Sequence, residues 1–143
     1  MENKKFIGNW ELKKWTAELK DGTIVSPFGE DALGRITYDS DGNMAVQLMK
    51  NNRAPFHSED PLQARTHEAV LAFNEFLSYC GTYQVYNNPD QVVHRIKISS
   101  FPNWTGQNQI RKFEFKDDLL ILSTDTIGSS RHKLEWVKMK NKT

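Results

Sequence analysis

Val92–Arg111 reads VVHRIKISSFPNWTGQNQIR. Its first half alternates: Val92, His94, Ile96 and Ile98 share one phase, and Val93, Arg95, Lys97 and Ser99 the other. Successive side chains of a strand point to opposite faces, so the apolar set is assigned to the interior. After the corner Ser99 to Trp104, stiffened by Pro102, a second alternation begins at Ile110, where Arg111, Phe113 and Phe115 oppose Lys112, Glu114 and Lys116. Two alternating runs joined by a compact corner predict antiparallel sheet. The same phasing puts His94 and Arg111 on apolar faces, where a charge is costly unless paired.

Outward from this stretch the alternation recurs. Trp10 and Leu12 share one phase while Trp15, Ala17 and Leu19 share the other, and such a slip inside one strand predicts a β-bulge near Lys13–Lys14. Asp21–Gly22 is a two-residue hairpin signal, with Thr23 to Val25 returning. A loop SPFGEDALG leads to a strand Arg35 to Tyr38, a turn Asp39–Gly42 and a strand Asn43 to Met49. Further strands are expected at Thr82 to Tyr86, Gln91 to Ser99, Ile110 to Lys116, Leu119 to Thr124 and Arg131 to Lys138, with both chain ends frayed. Between Leu62 and Tyr79 the period changes. Ala69, Val70, Phe73, Phe76, Leu77 and Cys80 fall at helical spacings, which predicts one amphipathic helix over about 62–79, capped by Thr66 or Asp60 and ended by Gly81. Its apolar stripe is expected to cover a mouth or an open seam.

The sum is an all-β, antiparallel up-and-down barrel of 8–10 strands with one α-helix, expected to form a single domain over 1–143. A cone of sheet with helices on one face is the competing architecture, and it ordinarily needs more helix than this chain offers.

With 143 residues, 26% charged and 38% apolar, the chain has the make-up of a soluble globular protein. A formal charge of +1 leaves no basic footprint for nucleic acid or an anionic membrane. The single cysteine, Cys80, excludes an internal disulfide, and no apolar run reaches the roughly 20 residues of a membrane span. The N-terminus lacks the apolar core of a secretory signal, so a cytoplasmic location is expected. The histidines His57, His67, His94 and His132 have no close spacing, so no metal is assigned. Neither Ser99–Ser100 nor Ser129–Ser130 sits in a nucleophile-elbow context, and Asp39–Gly42 lacks the rest of a calcium loop.

Gly8-x-Trp10, Asp21-Gly22-Thr23, Pro27-Phe28-Gly29, Gly34-x-Ile36-x-Tyr38, Asp41-Gly42-x-Met44, Gln47-Leu48-Met49, Tyr79-x-Gly81-Thr82-Tyr83, Val93-His94, Ser99 to Trp104, Gly106, Gln109 and Arg111 form one ordered pattern. It resembles the bacterial and fungal lipocalin-like domain family of calycin-type barrels. That resemblance implies a barrel with a cavity and carries no catalytic residues over to this chain.

Inside such a barrel, His94, Arg111 and His132 share faces with core residues. Tyr38, Gln47 and Tyr83, with Glu11 or Glu135 at strand ends, are the groups available to pair with them. The expected ligand site comprises His94, Arg111, Trp104, Asn103, Phe101, Tyr83, Gln47, Tyr38 and Phe113, with Phe101 and Trp104 as either a structural corner or a lid. The partner is expected to be a small apolar or amphipathic molecule with a polar or anionic tip, held by a monomer or homodimer without a cofactor. The alternatives are a cyclase, isomerase or hydratase using His94 as acid/base and Arg111 to stabilise an enolate, a haem protein ligated by His94, and a structural domain with a filled barrel.

Overall fold

A computed structural model describes residues 2–140. The strands are β1 (Gly8–Leu19), β2 (Ile24–Val25), β3 (Leu33–Tyr38), β4 (Asn43–Met49), β5 (Phe76–Tyr86), β6 (Gln91–Ser99), β7 (Asn108–Lys116), β8 (Leu119–Ser123) and β9 (Ser130–Lys138), with α1 (Thr66–Asn74) between β4 and β5. Neighbours pair antiparallel in the order β2-β1-β3-β4-β5-β6-β7-β8-β9, and β1 also pairs with β9. Eight strands therefore close on themselves, and the short β2 leans on the far end of β1. No described helix is long and apolar enough to cross a membrane.

β1 can serve two partners because it bends. Its pairing with β9 slips between Leu12 and Lys14, leaving Lys13 as the extra residue. That bulge keeps Trp10 on one side of it and Trp15 and Ala17 on the other, all inside the barrel. The turn glycines Gly22 and Gly42 sit at φ of 86° and 89°, which a side chain would resist.

A second slip lies between β5 and β6, where Gly81 pairs with Ile96 and Cys80 with Ile98, so that Lys97 is the extra residue. This corrects the expected phase of β6. Val92, His94 and Ile96 point inward, but Ile98 is turned out and is 69% exposed.

The helix is shorter than the sequence predicts. It ends at Asn74, and Phe76, Leu77 and Cys80 belong to β5, with Gly81 inside that strand rather than capping the helix. Spacings of three and four also contain a strand's alternation, and pairing with β4 from Met49–Phe76 to Asn43–Thr82 decides the competition. Neither Thr66 nor Asp60 caps the start. Arg65 occupies that position, and the Glu68 carboxylate accepts from the Arg65 and His57 backbone N–H groups at 2.8 Å each. α1 fully buries no residue and leans through Phe73 on Phe101, with ring centroids 6.5 Å apart.

The two ends of the barrel differ. At the end where β1 begins, Phe6 plugs the opening and packs edge-on against Tyr38, Phe113 and Phe115 at 5.2, 4.9 and 5.1 Å. Trp10 Nε1 donates to Phe6 O at 2.8 Å and fixes the plug. At the other end gather the segment between β4 and β5, the 102–104 turn of 3-10 helix and the link between β8 and β9.

Candidate functional site

Beneath those links lies a cavity of about 150 Å³, partly open to solvent. Trp15, Ile36, Val46, Leu48, Leu77, Leu122, Ile127, Leu134 and Trp136 give it apolar walls, Trp104 covers one side, and Tyr79, His94, Arg111, Thr124 and His132 supply its polar atoms. An apolar cavity of roughly 150 Å³ is large enough for one benzene ring.

His94 is 1% exposed and lies between two phenols. Its Nε2 is 2.7 Å from the Tyr38 hydroxyl and its Nδ1 is 2.8 Å from that of Tyr79. Burial, with the Arg111 charge adding to it, holds this imidazole well below its ordinary pKa, so it is neutral. A neutral imidazole donates from one nitrogen and accepts at the other. Tyr38 is wholly buried and this is its one hydrogen-bond partner among the described residues, so its hydroxyl must donate to Nε2. His94 Nδ1–H then donates to Tyr79, whose own proton is left for the cavity that Tyr79 lines. Burial also raises both phenols above their usual pKa, with Arg111 partly opposing it, so each stays protonated.

His132 is set by its own partners. Trp15 Nε1 donates to Nδ1 at 3.0 Å, which leaves Nε2 to donate to Ser130 Oγ at 3.2 Å. Its backbone N–H donates to Thr124 Oγ1 at 3.0 Å. Partial burial and then Arg111 lower its pKa too.

Arg111 is 8% exposed. Its Nη1 donates to Gln109 Oε1 at 3.3 Å and Ile110 O at 3.2 Å, and the guanidinium carbon stands 5.9 Å from the Trp104 ring centre. No carboxylate among the described residues pairs with it, and no Asp or Glu lines the cavity. The guanidinium also donates to the Tyr79 hydroxyl, and its remaining N–H groups have no protein acceptor among the described residues. A half-paired, nearly buried cation of this kind is costly for a barrel to keep. Trp136 is 1% exposed, and its Nε1 likewise has no partner.

The expected site residues scatter. His94, Arg111 and Trp104 line the cavity, and Tyr38 stands directly behind His94. Phe101 backs Trp104 at 5.5 Å without lining the cavity. Tyr83 donates to Asp39 O at 2.8 Å near the plugged end, and Phe113 belongs to the Phe6 plug. Gln47 is corrected to the outer face, because Met44, Val46 and Leu48 hold the inward phase of β4. Asn103 is exposed on the corner, and Glu11 is exposed, away from Arg111. The sequence reading missed Tyr79, Thr124, Ile127 and Trp136 as cavity residues. Alternation through Leu77, Tyr79 and Tyr83 was the available signal for Tyr79, masked by the helical spacing that overlaps it. Among the described residues no cluster of three metal-ligating side chains occurs.

A family model described as a lipocalin-like domain matches residues 7–140. The chain belongs to that family. Among curated relatives it is similar to the 4'-hydroxy-3'-methoxypropiophenone carrier protein of Aspergillus oryzae, at 31% identity over 87 residues, covering 57% of this chain and 78% of that protein. Among solved structures it is similar to a redesigned β-barrel, with a TM-score of 0.46 and 12% identity over 94% of this chain and 91% of that one. It is also similar to a mutant of the fluorescent protein UnaG, with a TM-score of 0.45 and 13% identity over 99% of this chain and all 100% of the other.

Proposed function

We propose that this lipocalin-like barrel binds a small, single-ring, largely apolar molecule whose oxygen-bearing tip docks on Arg111 and Tyr79. The observation that carries the reading is Arg111, the one cation of a mainly apolar cavity, which has no carboxylate partner among the described residues and stands beside a tyrosine whose proton is free. The volume sets the size class, since about 150 Å³ suits one substituted ring and is far too small for a porphyrin. That argues against haem on His94, whose two nitrogens are in any case engaged. The cavity also argues against a filled, purely structural barrel. The relative's ligand, 4'-hydroxy-3'-methoxypropiophenone, has the matching chemistry of one ring with oxygens around it.

The geometry favours binding over a cyclase, isomerase or hydratase with His94 as acid/base. His94 is held neutral with both ring nitrogens engaged by Tyr38 and Tyr79, and a buried phenol with a raised pKa is a poor base.

Calorimetric titration with 4'-hydroxy-3'-methoxypropiophenone and related one-ring aryl ketones tests the proposal. Wild type is expected to bind at one site, and Arg111→Met, which keeps the side-chain volume, to bind at least about tenfold more weakly, the worth of one charge-assisted hydrogen bond. No binding to wild type, or equal affinity for the variant, would overturn it.

A further inference from the structure

The hydrogen-bonding sense of the cavity is one-sided. Among the polar atoms of its lining residues, the Arg111 N–H groups beyond those given to Gln109, Ile110 and Tyr79, the Tyr79 proton and the buried Trp136 Nε1 are donors without protein acceptors among the described residues. Each acceptor already takes a hydrogen bond, and the second lone pair of Thr124 Oγ1 is what remains. His94 Nε2 takes the Tyr38 proton, His132 Nδ1 takes that of Trp15, Gln109 Oε1 takes one from Arg111, and Thr124 Oγ1 takes the His132 backbone N–H. A neutral phenol or acid would bring its own O–H into a set made up mostly of donors, whereas the same oxygen without its proton accepts from several at once.

The charges point the same way. The titratable groups around Arg111 are Tyr38 on β3, Tyr79 on β5, His94 on β6 and His132 on β9. None of them is an acid that ionises near neutral pH, and both imidazoles are held toward their neutral forms. The guanidinium therefore keeps an uncompensated positive charge in surroundings where charge is poorly screened.

We propose that the cavity takes its ligand as the anion of a weak one-ring acid, a phenolate, enolate or carboxylate, leaving the ligand's proton in solvent. This rests on the cavity being the binding site and adds the state in which the ligand is held. The step balances simply: the neutral acid in water becomes the bound anion and one released proton, with no change of oxidation state. Affinity for such an acid rises with pH, by about tenfold per unit, between the bound and the free pKa of the ligand, and levels off above the free value.

The probe is 4-nitrophenol, whose anion is yellow and whose neutral form is not, with 4-nitroanisole as the ring of similar shape that has no proton to lose. Wild-type protein is titrated into each at a pH below the free pKa of the phenol, with colour and native mass spectrometry read together. The yellow band is expected to grow in proportion to complex formed, and the anisole to bind at least about tenfold more weakly. Tyr79→Phe, which keeps ring and packing, is expected to weaken the yellow complex by a larger factor than it weakens anisole binding. Colourless binding of the phenol, or equal affinity for the two probes, would overturn the proposal while leaving the cavity as a binding site. Binding of neither probe would overturn both.

Discussion

Gly81 on β5 meets the β6 bulge with no room to spare: a Cβ there would lie 1.9 Å from Arg95 O. The obstacle is backbone, so Gly81→Ala is expected to destabilise by at least about 1–3 kcal/mol, the usual cost of overpacking, read as a lower urea midpoint with the m-value unchanged. His94 gives the molecule a pH signature. Its folded pKa lies below the unfolded value of about 6.5, so the unfolded chain binds more protons once the pH falls beneath that value. Stability is full above about pH 6.5 and declines as pH drops toward the folded pKa, by up to about 1.4 kcal/mol per unit. His132 acts in the same sense. Denaturant midpoints from pH 7.5 to 5, at roughly half-unit steps across the window set by the usual histidine pKa, should show the slope, and His94→Gln should flatten it whatever its effect on the midpoint. At this scale the sequence was legible where alternation was clean, as for His94 and Arg111. It was not for Gln47, whose inward placement ignored that Met44, Val46 and Leu48 hold the other phase.

The elements differ in how openly they were written. The Lys13 bulge shows in the sequence because tryptophans mark both phases, Trp10 before it and Trp15 after it. The Lys97 bulge does not, because Ile98 continues an apolar alternation that the structure breaks, and the decisive residue, Gly81, lies on the neighbouring strand. The helix end was hidden for a related reason: the β4–β5 pairing that ends it is non-local. Deleting Lys13 leaves Trp10, Leu12, Trp15 and Ala17 in one phase but removes the extra residue, and with it the bend that lets β1 pair with both β3 and β9. The deletion variant is expected to lose its cooperative thermal transition in near-ultraviolet circular dichroism, and a wild-type transition would contradict the role given to the bulge. α1 is the opposite case. Its residues Val70, Leu71 and Phe73 are about half exposed, so Val70→Ser is expected to change stability by no more than about 0.5 kcal/mol.

For the whole molecule, barrel closure follows from strand order and from a first strand long enough to pair on both sides. That much could be read from consecutive alternating runs and tight turns. The cavity could not, because it depends on how side chains from β1, β3, β4, β5, β6, β7, β8 and β9 and the Ile127 link meet in space. The division of labour between the ends is clear in the structure: aromatic packing around Phe6 closes one, and under the other lie the cavity and its unpaired cation. The central claim is that this cation grips the ligand. A crystal structure of the protein soaked with 4-hydroxyacetophenone tests it most directly. The account predicts the ring between Leu48, Trp104 and Leu134, with an oxygen within hydrogen-bonding distance of both Arg111 and Tyr79. A ring bound only outside the barrel, or inside it with its oxygens turned away from Arg111, would contradict it.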